Sequence, residues 1–232
     1  MSRDPEPLVA TVSHGALKAV CGLEVRRRAQ VRVEGLHHLP PDGPTLLVAR
    51  HAHYILDGCV LERTLPRRLH AVLAVDWLPR RPLRDALARA SRLIRWPAVI
   101  RPQRVAPGTR NEAGERLRAA TREAVDLLRE GRLLLIFPEG FPIVDPRPTP
   151  KRGVADWLPF DPGFARIVRI AQGDGVTRVA VVPVGIDLAP LPGGRWRLVL
   201  RLGSGRRLEP GDDPAAFAAE VEAEVRRLSR PI

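Results

Sequence analysis

Residues 45–57 read TLLVARHAHYILD and place two histidines and an aspartate directly behind a strand-like run. The run from Thr45 to Ala49 is largely apolar at consecutive positions, which is typical of a strand buried on both faces of a parallel sheet. Residues 133–140, LLLIFPEG, repeat the arrangement with a glutamate and a glycine behind a second apolar run. The two segments therefore predict a sheet that carries polar residues at the ends of its strands.

The pattern outward from these segments alternates between short apolar runs and stretches with helical spacing. Proline and glycine separate the runs, and we expect a proline-rich loop at residues 141–160. Such alternation predicts a single α/β domain with a mostly parallel sheet flanked by helices on both faces. Strands are expected at residues 31–33, 45–49, 69–75, 133–137, 179–186 and 195–202, with the first and the last at edges of the sheet. Helices are expected at residues 58–63, 83–94, 163–172 and 215–228, and between the cap Asn111 and the stop Gly131.

The composition is that of a globular chain with a strongly basic surface. Its 232 residues suffice for a core, and its only cysteines, Cys21 and Cys59, form no disulfide or metal-finger pattern. So few cysteines fit a reducing compartment. The formal net charge of +12 and the isoelectric point near 11.3 favour anionic lipid headgroups, nucleic acid or an acidic carrier protein as partners.

Residues 1–30 are interpreted as an N-terminal amphipathic helical segment that precedes the main domain at residues 31–232. No run reaches the eighteen or so apolar residues of a membrane span, and residues 1–7 lack the order of a secretory signal. An apolar stripe with helical spacing follows, for which two interpretations stand: packing on the domain, or insertion into a membrane surface. The stripe consists of Leu8, Val12, Ala16, Ala19, Val20 and Leu23.

The polar residues behind the strands suit base-assisted chemistry. His51 and Glu139 each follow a predicted strand, and the carboxyl ends of parallel strands meet at one rim of a sheet. An imidazole titrates near neutral pH, so His51 or His53 is a candidate general base for a hydroxyl. Asp57 is a candidate acceptor for the other ring N–H, which would fix the tautomer and stabilise the imidazolium. These are parts of an acyl-transfer or hydrolytic site.

In their order and spacing, several short blocks resemble the glycerolipid acyltransferases, which include lysophosphatidic acid and glycerol-3-phosphate acyltransferases. The resemblance covers about residues 31–204, and the order of the blocks makes it specific where each block alone is weak. The blocks are residues 46–51 (LLVARH), 96–101 (WPAVIR), 137–140 (FPEG) and 181–186 (VVPVGI). The resemblance implies an acyltransferase-like fold.

The resemblance also implies roles for single residues. His51 matches the catalytic histidine and Asp57 its aspartate, although five residues separate them here and the family has four. His53 stands three residues before Asp57 and is the alternative base. Arg101 ends the second block and is expected to contact a phosphate in preference to a structural ion pair. Glu139 and Gly140 are the expected substrate-binding residues of the third block.

One cationic anchor of the family is missing. The family usually continues its Phe-Pro-Glu-Gly block with Thr or Ser and then Arg, which helps to hold the acceptor phosphate, whereas this chain continues with Phe141 and Pro142. Arg147, Lys151 and Arg152 lie in the proline-rich loop. They either replace the missing arginine or form a solvated basic loop. The identity of the acceptor and the acyl chain length therefore stay open.

The resemblance implies an O-acyltransferase that moves a fatty acyl group from an acyl thioester, acyl-CoA or acyl carrier protein, to a glycerol-phosphate or lysophospholipid hydroxyl. It implies no metal and no cofactor besides the donor. We expect a cytoplasmic enzyme, peripheral on the inner face of the cell membrane and bound to anionic lipid. A lipid or thioester hydrolase is the nearest alternative, although no Gly-x-Ser-x-Gly segment occurs. A basic nucleic-acid-binding protein is a third; with 4% aromatic residues and arginines spread along the chain, no nucleic acid is expected.

Overall fold

A six-stranded sheet forms the centre of the molecule, in a computed structural model that describes residues 8–76, 78, 80–101 and 110–231. The strands of the sheet are β1 (Ala29–Glu34), β2 (Thr45–Ala49), β3 (Leu69–Ala71), β6 (Leu133–Ile136), β7 (Ala180–Leu191) and β8 (Arg195–Leu202). Two short strands, β4 (Leu73–Ala74) and β5 (Ala98–Val99), pair separately. The order in the sheet is β1-β8-β7-β2-β6-β3, and every neighbouring pair is parallel except β7 with β8.

Helices cover both faces of this sheet, as predicted. They are α1 (Leu8–Arg28), α2 (Leu56–Thr64), α3 (Arg81–Leu93), α4 (Arg110–Arg129), α5 (Gly163–Ala171) and α6 (Pro214–Leu228). Alternate residues of β2 serve the two faces, since Leu47 packs in one core with α1 and α2 and Leu46 packs in the other with α4, α5 and α6. Burial on both faces explains why β2 reads as a continuous apolar run. The predicted fold class is confirmed.

Two strand predictions need correction. The run at residues 69–75 is two strands, because the chain changes partners at Val72: its N–H still bonds to Leu135 of β6, whereas the N–H of Leu73 bonds to Pro97 beside β5. β8 is not an edge strand, since it lies between β7 and β1. Its alternating arginines are explained by exposure and by pairing, because Arg201 donates to Glu34 of β1 at 3.0 Å.

The prediction for α4 was correct in its end and wrong in its start. The helix begins at Arg110, so Asn111 lies inside its first turn and not at the cap. Gly131 ends it with a φ of +74°, a conformation that favours glycine. Leu117 of α4 is 46% exposed, whereas several other apolar residues of the helix are buried: Ala113, Ala120, Ala124, Leu127 and Leu128.

Helix α1 packs on the domain with a face that the sequence did not indicate. Among residues 11–28 of this helix, His14, Cys21 and Val25 are buried. From Val12 onward the predicted stripe faces outward instead, with Val12 63% and Val20 65% exposed. Residues 1–7 of the predicted N-terminal segment lie outside the described residues, and the boundary predicted after residue 30 falls within β1. Among the helices of the described residues, none is both long and apolar enough to cross a membrane.

Candidate active site

The rim behind β2 and β6 brings the two polar segments together. β2 and β6 are parallel neighbours in a register that aligns Val48 with Ile136. The segments behind both strands therefore leave the sheet on the same side. The backbone N–H of His51 donates to Oε1 of Glu139 at 2.9 Å, across 88 residues of sequence.

His51 and Asp57 form a hydrogen-bonded pair at this rim. Nδ1 of His51 lies 3.0 Å from Oδ2 of Asp57. Because an ionised carboxylate only accepts, we assign the proton of the neutral ring to Nδ1, which leaves Nε2 as an acceptor. The ring stacks on Phe137 with a centroid distance of 4.2 Å and an interplanar angle of 15°. The side chain of His51 is 16% exposed and that of Asp57 is fully buried, so solvent reaches the imidazole and not its partner.

Asp57 organises the loop that carries the histidine. Its Oδ2 also accepts the backbone N–H groups of Ala52, at 2.6 Å, and His53, at 2.8 Å. It stands in the first turn of α2, where the free N–H groups of the helix favour a carboxylate. These contacts show how five intervening residues still bring ring and carboxylate together, because the loop folds its backbone onto the carboxylate. The other oxygen, Oδ1, has no hydrogen-bond partner among the described residues.

His53 has a different position. Its Nδ1 accepts the backbone N–H groups of Ile55 and Leu56 at 3.3 Å each, so the ring caps the start of α2. It is 3% exposed and packs edge-on against Trp196 at 5.8 Å. Burial lowers its pKa, which favours the neutral ring that a cap requires. The roles predicted for His51 and His53 stay predictions, but His51 lines the cavity described below and His53 does not.

An apolar cavity of about 290 Å³ is lined in part by His51. Residues of the sheet and of α1 and α2 line it as well, and so do Arg101 and Gly140, which share a hydrogen bond of 2.9 Å. Its lining includes Leu17, Cys21, Tyr54, Cys59 and Trp96. The sequence had not indicated that α1 lines a cavity. A pattern that could have indicated it is the spacing of Leu17 and Cys21, which lie one helical turn apart on the face opposite to the predicted stripe.

Arg101, which lines this cavity, lies in an ion pair. Its Nε and one terminal nitrogen each lie 2.8 Å from Oδ2 of Asp76, and the side chains are 8% and 2% exposed. The other terminal nitrogen donates to the carbonyl of Gly140 at 2.9 Å, and the guanidinium lies over the ring of Phe141. Gly140 has a φ of +73°, which favours glycine. Arg101 therefore forms the structural ion pair that the sequence made the less expected alternative. Its contact with a phosphate stays a prediction.

Glu139 and Lys151 form a second buried ion pair. Nζ of Lys151 lies 2.7 Å from Oε2 of Glu139, and both side chains are fully buried. Neither interpretation of Lys151, a substitute phosphate anchor or a solvated residue, agrees with this position. Burial lowers the pKa of Lys151, and Glu139 opposes that shift. A signal was available in the sequence, because Lys151 and Lys18 are the only lysines among 38 basic residues.

The remaining cations of the proline-rich loop are tied to the protein or point to solvent. Arg147 donates to the backbone carbonyl of Asp76 at 2.7 Å, and Arg152 is exposed. Arg50, directly before the histidine, is buried, donates to Ile186 at 3.2 Å and lies over the ring of Trp157. In the part of the chain that the structure describes, no three His, Cys, Asp or Glu side chains are grouped as metal ligands.

The chain matches a protein family and is similar to solved structures. The profile of the acyltransferase family matches residues 30–187. No curated protein matches the chain. Among solved structures, the 1-acyl-sn-glycerophosphate (LPA) acyltransferase PlsC of Thermotoga maritima is similar with a TM-score of 0.59 and 18% sequence identity. The alignment covers 92% of this chain and 77% of that chain, and at this identity the likeness is one of fold.

Proposed function

The chain belongs to the acyltransferase family, and we propose that it is a glycerolipid O-acyltransferase with His51 as its general base. The observation that carries the proposal is the hydrogen bond between His51 and Asp57, with His51 lining an apolar cavity of about 290 Å³. A base beside an apolar cavity suits a reaction in which one reactant carries a fatty chain. A long-chain acyl thioester is such a reactant.

In the proposed mechanism, Nε2 of His51 takes the proton of the acceptor hydroxyl while its oxygen attacks the thioester carbonyl. The tetrahedral intermediate collapses with cleavage of the C–S bond, and the imidazolium returns the proton to the leaving thiolate. Asp57 holds the Nδ1–H at 3.0 Å and stabilises the imidazolium through its negative charge. Because the hydroxyl attacks directly, no acyl-enzyme and no metal are required.

The donor is proposed to be acyl-CoA or an acyl carrier protein. Its acyl chain would enter the cavity toward Cys21 and Cys59, whose walls are mainly apolar. The net charge of +12 favours either donor, since CoA carries phosphates and a carrier protein of the usual kind is acidic. Removing the chain from water contributes roughly 0.8 kcal/mol per methylene to binding.

The acceptor is proposed to be a glycerol phosphate or lysophospholipid. Arg101 is the candidate phosphate anchor because it lines the same cavity as His51. Its ion pair with Asp76 and its bond to Gly140 use three of its five N–H donors. Both oxygens of Glu139 accept protein donors: the N–H of His51 for one, and Lys151 and the N–H of Leu158 for the other. We therefore propose a supporting part for Glu139 and Gly140, in which they shape the rim around the substrate.

We further propose peripheral binding to an anionic membrane at the inner face of the cell membrane. Val12, Val20 and Leu23 are each more than half exposed on α1. The basic residues Arg26, Arg27 and Arg28 end the same helix. An outward apolar row beside basic side chains suits a membrane surface, where each basic residue contributes about 1 kcal/mol. The contribution decays within a Debye length of roughly 8 Å at physiological salt.

Cosedimentation with vesicles tests the membrane proposal. Binding to anionic vesicles should be strong at low salt and should weaken as salt rises, and Val20→Gln with Leu23→Gln should weaken it further. Val176→Gln is the control, since Val176 is 83% exposed and does not belong to α1. Equal binding to neutral and anionic vesicles at every salt concentration would contradict the electrostatic account.

Mass spectrometry of the products tests the reaction itself. Acyl-CoA or acyl carrier protein is offered together with glycerol 3-phosphate and a set of lysophospholipids. We expect an acylated acceptor whose formation requires both substrates. Free fatty acid formed at the same rate with and without acceptor would indicate a thioester hydrolase instead.

A further inference from the structure

The loop that carries His51 is bound on one side by the proline-rich loop, residues 141–160. The N–H groups of Ile143 and Val144 both donate to the carbonyl of Ala52, at 3.0 and 2.9 Å. The N–H of Tyr54 in turn donates to the carbonyl of Val144 at 3.0 Å. The proline-rich loop therefore forms one wall of the catalytic loop, although it forms no regular strand pairing with it.

Lys151 adds a contact to His51 itself. Its Nζ donates to the backbone carbonyl of His51 at 2.9 Å and pairs with Oε2 of Glu139 at 2.7 Å. Oε1 of the same glutamate accepts the backbone N–H of His51 at 2.9 Å. One ion pair thus binds both backbone polar groups of a single residue. Neither Nζ nor any other part of Lys151 lines the cavity.

The burial of this pair argues against a purely stabilising part. Taking two charges out of water costs several kcal/mol per ion, and their attraction offsets that cost only with good geometry and further hydrogen bonds. Apolar residues of similar volume are often as stable or more so. The two further hydrogen bonds of this pair go to the N–H and C=O of His51. The arrangement is better explained by the need for a fixed histidine.

We propose that Lys151 is a positioning residue for the base: with Glu139 it clamps both peptide groups of His51, so that the ring meets Asp57 and the cavity at a fixed angle. This inference rests on the proposed function, because it gives His51 the part of the base. A base that moves by about 1 Å can lose about 10²-fold in rate. The proline-rich loop then supports the base, where sequence analysis had considered it for the acceptor phosphate.

The test compares Lys151→Met with the double variant Lys151→Met/Glu139→Gln. Lys151→Met leaves Glu139 as a buried charge without its cation, so both the melting temperature and kcat should fall, kcat by about 10²-fold. The double variant is neutral, and its glutamine oxygen still accepts the His51 N–H, whereas the N–H of Leu158 loses its acceptor. Its melting temperature should therefore recover in part while kcat stays low, because the bond to the His51 carbonyl is still missing. The KM of either substrate should change little.

Arg152→Met is the matched control, since it removes the same charge from the next, exposed residue. It should leave kcat and the melting temperature as in the wild type. Recovery of kcat together with stability in the double variant would overturn the proposal and leave Lys151 a structural residue. If Lys151→Met alone does not fold, the double variant still decides. Failure of the proposed function would give a different result. The wild type would then transfer no acyl group, while the substitutions at Lys151 and Glu139 would still change the melting temperature.

Discussion

Replacing Asp57 with asparagine removes the charge beside His51 and keeps the shape of the side chain. The carboxylate is fully buried, and its Oδ2 accepts three N–H groups, from the ring of His51 and from the backbones of Ala52 and His53. An amide oxygen at that position can accept the same three groups. The variant therefore isolates the electrostatic contribution of Asp57 to the imidazolium.

The magnitude follows from the distance between the two side chains. Nδ1 of His51 and Oδ2 of Asp57 are 3.0 Å apart. With an effective dielectric constant of about 20, Coulomb's law gives 332/(20 × 3.0), or roughly 5.5 kcal/mol, between a proton charge on the ring and the carboxylate. Each 1.36 kcal/mol is tenfold in rate, so kcat should fall by roughly 10⁴-fold.

The assay is acyl transfer under saturating substrates, with thermal melting of the same samples. Asp187→Asn serves as the control, since Asp187 is also buried but does not line the cavity. We expect Asp57→Asn to melt as a folded protein, with kcat reduced as calculated, and Asp187→Asn to keep its kcat. A folded Asp57→Asn variant with kcat within tenfold of the wild type would refute the charge pairing.

Three further predictions concern single residues. His53→Ala should lower the free energy of unfolding by about 2 kcal/mol, because the cap and the ring contacts are lost, but it should keep activity. His53→Asn, whose amide oxygen replaces Nδ1 as the acceptor, should lower the free energy of unfolding less. A folded but inactive His53→Asn variant would contradict the capping role of His53. Arg101→Lys, which keeps a charge beside Asp76, should raise the KM of a phosphate-bearing acceptor roughly 10- to 100-fold, and an equal rise for an acceptor without phosphate would make Arg101 structural. Burial lowers the pKa of His70 to about 4, so between pH 6.5 and 5 the unfolded chain binds a proton that the folded chain does not. The free energy of unfolding, measured in urea, should therefore fall by roughly 2 kcal/mol over this range, and it should fall less in His70→Asn. An equal fall in the wild type and the variant would contradict this prediction.

The central strands could be predicted because their burial leaves a pattern within their own sequences. β2 and β6 are buried on both faces, so each reads as an unbroken apolar run, and parallel pairing puts their polar successors at one rim. The contact between His51 and Asp57 could be predicted from this rule and from the short separation of the two residues in sequence. The extra loop residue was visible as well, but its accommodation by two backbone hydrogen bonds to Asp57 was not.

The features that were missed depend on contacts between distant segments. On α1 the buried face carries His14 and Cys21, while Val12 and Val20 face outward, so hydrophobicity alone indicated the wrong face. His14 lies 3.8 Å from Glu62 of α2, a partner that no periodicity of α1 reveals. Lys151 is 100 residues from His51 in sequence, and a lysine in a proline-rich loop has the pattern of a solvated residue.

His51→Ala removes the proposed general base, so its turnover decides whether His51 takes the proton of the acceptor hydroxyl. The measurement is the rate of acylated product from an acyl thioester and a glycerolipid acceptor, with His53→Ala as the matched histidine variant and melting curves for both. We expect His51→Ala to be folded and inactive while His53→Ala is less stable and active. An active His51→Ala variant beside an inactive but folded His53→Ala variant would contradict this expectation.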